Sequence, residues 1–474
     1  MEVHVSLDGR GDLSVRIYRQ LLDAVLDGRL RSGERLPPTR ELARRLDVSR
    51  NTVAVAYEWL AAEELVTSRV GAGTFVCTES LGRVDGRHAP AGAGVHPRRA
   101  WESIPPTDVR SVDRPYNFAV GLPDARLFPL TTWRRLVARE LRPAALRAVG
   151  YGDPGGHRDL RAAIARFIGV SRSVRAGADD VIVTSGAQQA LDLIARVLIE
   201  PRSVVAVEEP GYPPARLLFK SLGARVAGVP VDAEGLDVSA IPRAARLVYV
   251  TPSHQFPIGT PMSLQRRAAL LAWAERRGAV VIEDDYDSEF RFEGRPLDPL
   301  QSLDRGGRVV YVGSFSKVML PTLRLGFLVA PASLQRALLT AKQLTDWHGE
   351  IATQAALARF IDEGLLARHI RKATREYAER RQRITTILQR DFARWLRLVP
   401  SAAGLHLTAG RAPGASINID EVVHRAQASG VTVHALSRFC GESPAKSGLV
   451  IGYGAIPTAK IEEGMRRLAA SFRA

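Results

Sequence analysis

The stretch that decides the fold is "RVVYVGSFSKVML", residues 308–320. A short apolar run rich in β-branched residues stops at Gly313. A lysine, Lys317, then stands between two serines and a second apolar run. Runs of this kind recur on both sides, in "DDVIVTSG", "RSVVAVEEP", "ARLVYVTPS" and "GAVVIEDD", and helical stretches such as "AQQALDLIARVLI" separate them. Continuous rather than alternating apolar strands are those buried on both faces, so the pattern predicts an α/β fold with a mostly parallel sheet. The final hundred or so residues, with "GLHLTAG", "GVTVHAL" and "GLVIGYG", predict a smaller α+β lobe.

With 474 residues the chain exceeds one ordinary core. No apolar run approaches the roughly 20 residues of a membrane span, and the N-terminus lacks a secretion-signal pattern. Two cysteines, Cys77 and Cys440, exclude a disulfide framework and suit a reducing cytoplasm. The net charge of +16 hints at nucleic acid. Residues 1–80, however, hold 11 Lys/Arg against 12 Asp/Glu, so the surplus lies elsewhere.

The N-terminal stretch has its own order of elements. Ile17, Leu21, Val25 and Leu26 share one face of a first helix. Gly33, Pro37 and Pro38 break it. Thr39 can cap a second helix and Ser49 a third, "RNTVAVAYEWLAAEEL". "LVTSRV" and "GTFVCT" then form a hairpin around Gly71 and Gly73. This is a winged helix-turn-helix order, predicted over 1–80. Its third helix would enter the major groove of double-stranded DNA with Arg50, Asn51 and Thr52 on its first turn. Arg40, followed by Arg44 and Arg45, suits backbone phosphates, as does Arg69 on the wing. Gly71 and Gly73 would let the wing come close to the DNA backbone. Residues 81–115, rich in Gly, Ala, Pro and Arg, are expected to form a flexible linker, and 116–474 the body.

The body carries the parts of a pyridoxal phosphate site. Lys317 would form a Schiff base with the aldehyde. Ser185, Gly186, Ala187 and Gln188 run from a strand into a helix whose N-terminus favours an anion. Ser314, Ser316 and Arg324 can add bonds to the phosphate. Asp284 or Asp285, at a strand end, would face the pyridine nitrogen. Tyr286 is spaced to reach the ring hydroxyl, and Tyr212 could stack on the ring.

Two resemblances follow from these motifs. "LPPTRELARRLDVSRNTV" and "GAGTFV" make residues 13–78 similar to GntR-family winged-helix regulators. About 116–474 resembles aminotransferases of fold type I. The combination resembles the MocR/GabR subfamily of bacterial regulators. That resemblance implies a head-to-tail homodimer in which Tyr151 reaches the neighbour's cofactor phosphate. Three departures stand out. Ala54 replaces an arginine common in the GntR recognition helix. Phe256 stands where aminotransferases place an asparagine, leaving His254 or Gln255 as substitutes. Leu449 stands where an arginine would clamp a substrate carboxylate. The expected function is a cytoplasmic regulator that uses pyridoxal phosphate as cofactor or sensed molecule, with vitamin B6 synthesis genes as targets. The alternatives are a regulator of amino-compound catabolism that senses a small amine effector, and a working aminotransferase.

Overall fold

The computed structural model describes residues 5–7, 11–69, 71–77, 94–102, 104–105, 114–142, 150–294, 297–441 and 446–473. The chain divides into two compact units, Met1–His96 and Pro97–Ala474.

In the first unit, α1 (Leu13–Leu26), α2 (Thr39–Arg45) and α3 (Arg50–Ala62) precede β1 (Val66–Arg69) and β2 (Gly73–Val76), which pair antiparallel. Ile17, Leu21, Val53, Ala56 and Leu60 fill the interior, because these positions repeat at helical spacing. The Ser49 hydroxyl accepts from Thr52 N–H and caps α3. Thr39 does not cap α2: it is that helix's first residue, and Pro38, which has no side-chain acceptor, holds the cap position.

Most of the expected linker lies outside the described residues. Within it, the turn α4 (Arg99–Glu102) is regular and lies against α8 (Pro213–Ser221), so the stretch is not structureless throughout. The body begins with β3 (Tyr116–Asn117), α5 (Leu130–Glu140) and α6 (Arg158–Arg172). The main strands follow: β4 (Val181–Thr184), β5 (Val204–Glu209), β6 (Arg225–Asp232), β7 (Gly235–Leu236), β8 (Ala245–Val250), β9 (Val280–Asp285), β10 (Val309–Ser314) and β11 (Gly326–Val329). Interleaved with them, besides α8, are α7 (Ala187–Leu198), α9 (Leu264–Arg277) and α10 (Leu300–Leu303). Their sheet order is β4-β11-β10-β9-β8-β5-β6-β7. β5, β6, β8, β9 and β10 run parallel, while β11 and the edge strand β7 are antiparallel to their neighbours. The sheet is therefore mixed, not uniformly parallel. Along β5 the pleat sends Val205 and Val207 to one cluster, and Ala206 to another on the opposite face.

Helices α11 (Ala332–Asp346), α12 (Ile351–Asp362) and α13 (Leu365–Asp391) lead to the small lobe. That lobe holds β12 (Leu396–Leu398), β13 (His406–Arg411), α14 (Ile419–Ala428), β14 (Val431–Thr432), β15 (His434–Ala435), β16 (Gly448–Gly452) and α15 (Ile461–Ser471). Its sheet order is β12-β13-β16-β15, an α+β arrangement. Among the described residues no helix is long and apolar enough to cross a membrane.

Candidate cofactor site and DNA-binding head

Ligands of open α/β sheets sit beyond the carboxyl ends of the strands. A cavity of about 360 Å³ opens there in the body. Asp284 comes from the end of β9, Ser314 from the end of β10, and Ser316 and Lys317 from the turn that follows. Ala187 and Gln188 open α7, and Tyr212 precedes α8.

Lys317 Nζ donates to the Gly121 carbonyl at 2.7 Å. Gly121 has φ +80, which favours glycine, and a Cβ there would crowd that nitrogen at 2.9 Å. Burial lowers the lysine's pKa, against the pull of Asp287 and Asp284. Asp284 Oδ2 accepts from the Tyr249 hydroxyl at 2.8 Å, while Oδ1 is buried without a partner. Burial pushes the Asp284 carboxyl up to about 7, although the Tyr249 bond and Lys317 work the other way.

The two candidate aspartates differ in geometry: Asp284 lines the cavity and Asp285 does not. Asp285, next along the strand, faces away from the cavity. It accepts from Arg172 Nε at 2.8 Å and from the Tyr311 hydroxyl at 2.7 Å. Burial works to raise its pKa, but Arg172 and Tyr311 outweigh it and hold the carboxyl below its ordinary value. Alternation along β9 thus gives two adjacent carboxylates opposite tasks.

The anion cradle is smaller than expected. Ser185 N–H already donates to Gln189 Oε1 at 2.8 Å, and Ser185 does not line the cavity. Its carbonyl accepts from Arg324 Nη2 at 2.7 Å, which fixes the guanidinium beside the start of α7. Gly186 caps α7 with φ +80 and ψ 173, a conformation that glycine alone adopts at little cost. A Cβ there would meet the Arg324 guanidinium at 3.1 Å. Ser314 Oγ accepts from Ser316 N–H at 3.1 Å, which holds the turn before the lysine.

Tyr212 lines the cavity edge-on to Phe256, with centroids 5.6 Å apart, and burial raises its pKa to about 12. Tyr286 also lines the cavity, but its hydroxyl donates to the His254 carbonyl at 2.9 Å. Neither His254 nor Gln255 lines the cavity; Phe256 does. His254 is buried against Asp287, Nδ1 to Oδ1 3.0 Å, and Gln255 Nε2 donates to the Pro210 and Phe256 carbonyls. Tyr151 is 80 % exposed and stacks on Trp347, away from its own chain's cavity. The sequence reading missed Tyr249, the Gly121 carbonyl and His406. A tyrosine inside the apolar run "ARLVYV" was the one available signal, since a buried hydroxyl needs a partner.

The position read as a missing arginine also resolves. Leu449 points into the main core, whereas its neighbour Val450 belongs to a cluster on which Val120 and Phe256 pack. Those two residues line the cavity, so Val450 is the β16 residue on the cavity side. Both positions are apolar and fully buried.

In the head, Arg40, Arg50 and Asn51 are exposed, and Thr52 is half-buried with its hydroxyl 2.7 Å from Ser49 Oγ. Arg50 Nε donates to Thr39 Oγ1 at 3.4 Å. Arg44 is exposed, whereas Arg45 turns back to pair with Glu41. Arg69 lies over the Phe75 ring. Gly71 has open space around it, at φ +77. Gly73 has less room: at φ +115, a Cβ there would meet the end of the Arg35 side chain.

A winged helix-turn-helix head and a type I aminotransferase body on one chain define a class of DNA-binding transcriptional regulators. Residues 13–76 match the family of bacterial regulatory proteins of the gntR type, and 117–443 match aminotransferase class I and II. The chain belongs to the MocR-type regulators of the GntR family. It is 39% identical over 464 residues to the probable rhizopine catabolism regulatory protein MocR of Rhizobium meliloti, covering 97% of this chain and 93% of that one. It is 32% identical over 444 residues to the pyridoxine biosynthesis transcriptional regulator PdxR of Corynebacterium glutamicum, covering 93% and 92%. The body superposes on the crystal structure of Pyrococcus horikoshii kynurenine aminotransferase with a TM-score of 0.73 at 28% identity, covering 79% of this chain and 96% of that one.

Proposed function

We propose that this regulator holds pyridoxal phosphate in the body's cavity and that the state of Lys317 sets how its heads engage double-stranded DNA. The carrying observation is that Lys317 and the unpartnered Oδ1 of Asp284 share one cavity with Arg324, whose guanidinium is held by the Ser185 carbonyl beside the start of α7. These groups fit the cofactor. Lys317 would hold the aldehyde carbon, Asp284 the ring nitrogen, and Tyr212 a ring face. Gly186, Ala187, Gln188, Ser314, Ser316 and Arg324 would surround the phosphate, joined by Tyr151 of a second copy in a head-to-tail homodimer.

When bound, the cofactor supplies an electron-withdrawing ring conjugated to the carbon that carries an amine. The chain's own groups prepare for it. Burial lowers the Lys317 pKa, which favours the neutral amine that a Schiff base requires. The buried Asp284 carboxyl, pushed up to about 7, would face the ring nitrogen and keep a proton available at that edge of the cavity. Tyr249 keeps that carboxyl oriented.

Val120 and Phe256, which pack on the buried Val450, put apolar side chains rather than a cation on that part of the cavity wall, which supports the cofactor itself as the sensed molecule and vitamin B6 synthesis genes as targets. The pyridoxine biosynthesis relative supports this reading. A regulator of amino-compound catabolism is the second reading, supported by the higher identity to the rhizopine catabolism relative. Titrating the full chain with pyridoxal phosphate should produce a visible absorbance band that Lys317→Ala lacks. The same titration should change occupancy of a duplex carrying the promoter of vitamin B6 synthesis genes. Occupancy that ignores the cofactor but responds to an added amine selects the second reading, and sustained keto-acid release from an amino donor selects an enzyme.

A further inference from the structure

Three buried polar side chains meet at the cavity wall, and the cofactor reading gives none of them a task. His254, Asp287 and His406 each bring one polar atom within 4.8 Å of those of the other two. Asp287 and His406 line the cavity together with Lys317. His406 Nε2 donates to the Pro257 carbonyl at 3.0 Å. Burial, with His254 beside it, holds the His406 pKa well below its ordinary value, so this ring is neutral.

Asp287 is arranged as an anion. Its Oδ1 accepts from His254 Nδ1 at 3.0 Å. Its Oδ2 lies 3.2 Å from the same nitrogen and accepts from the Leu405 N–H at 3.1 Å. Donors at both oxygens suit a carboxylate rather than a carboxylic acid. His254 Nε2 is buried without a partner, so the polar contacts of this ring run through Nδ1. The brace is closely fitted: Gly404 stands at φ +86, and a Cβ there would overlap the His254 ring and crowd Asp287. Lys317 and Arg324 are the cavity's lysine and arginine, and the Ser185 carbonyl already holds Arg324. Asp287 also pulls on the lysine more strongly than Asp284 does.

We infer that Asp287, braced by His254, is the buried counter-ion of Lys317 and sets the pH above which that lysine can capture an aldehyde. Asp287 and His254 are positioning residues in this role, since they act through the lysine. The other titratable groups around the lysine are Asp284 at the end of β9, Tyr286 just after it, Tyr249 on β8, Tyr212 before α8 and His406 on β13. Burial raises all three tyrosines, so they keep their protons through neutral pH. Asp284 is common to every variant below. The role rests on the reading of Lys317 as the aldehyde-binding residue, but its test needs no cofactor.

The full, cofactor-free chain is treated with formaldehyde and cyanoborohydride across a pH series, and methylation of Lys317 is read by mass spectrometry of its peptide. Only the neutral amine attacks the aldehyde, so the midpoint of the profile reports the lysine's proton affinity. Asp287→Asn should move that midpoint down by about 1 pH unit or more, the effect of removing an adjacent opposite charge. His254→Leu, which takes the side-chain donor from Asp287, should move it the same way. His254→Gln, which restores a donor, should return it toward the parent. A merely structural role would lower stability in all three variants without this ordering. An unmoved midpoint in Asp287→Asn would overturn the inference. If that variant does not fold, equal midpoints in His254→Leu and His254→Gln overturn it. A chain that gives no pyridoxal phosphate band, yet whose midpoint moves as expected, would sink the cofactor reading and leave this role standing.

Discussion

The pair Asp284 and Asp285 condenses what the site asks of single residues. Both are buried, yet one carboxyl is pushed up and the other held down, because only Asp285 has an arginine. This gives a pH prediction for the cofactor-free chain. Folded Asp284 holds its proton up to about pH 7, whereas unfolded Asp releases it near 3.8. Between those values the folded state binds more protons, so stability falls as pH rises through that window. Asp284→Asn abolishes this contribution, and its stability relative to the parent should climb from pH 4 to pH 7 and then level. Each tenfold change in proton affinity is worth about 1.4 kcal/mol. Urea titrations at several pH values measure it, and a flat difference would contradict the burial argument. Gly186→Ala probes the cradle. Its backbone angles and the nearby Arg324 guanidinium should cost about 1–3 kcal/mol, with weaker pyridoxal phosphate binding in the same titration.

At the scale of elements, sequence was most informative where the pattern was long. Strands β4, β5, β8, β9 and β10 were legible as apolar runs, and so was the helix-hairpin order of the head. The cap of α3 was legible because Ser49 stands immediately before the helix. The cap of α2 was not, because a one-residue shift in the helix start moved Thr39 inside. The antiparallel setting of β11 left no trace in composition. The site was legible in its residue types, less so in its partners. No sequence rule links Gly121 to Lys317 or Tyr249 to Asp284, since the fold alone brings them together. The same holds for Arg172, which joins the end of α6 to β9. Arg172→Ala strands the Asp285 charge in the interior and should destabilise by about 3–5 kcal/mol. Cutting the exposed Arg196–Asp192 pair on α7 should cost at most about 0.5 kcal/mol. Chemical denaturation of both variants distinguishes the two.

For the whole molecule, the proposed function puts sensing and DNA reading in different units. Arg50→Ala in the head should weaken DNA binding, by about 1–3 kcal/mol at a site where the arginine pairs with a guanine. It should leave the absorbance titration with pyridoxal phosphate unchanged. A mobility shift alongside that titration measures both, and a shared loss would mean that the variant had unfolded more than its own unit. The head's hydrophobic cluster draws only on residues from Val5 to Val76, and the clusters of the body draw on residues from Tyr116 onward. Among the described residues, neither interior borrows a side chain from the other. A gene fusion that exchanged one half for a foreign counterpart would therefore leave the remaining half with its packing whole, and recombination at that seam gives such proteins an inexpensive route to new pairings of signal and target.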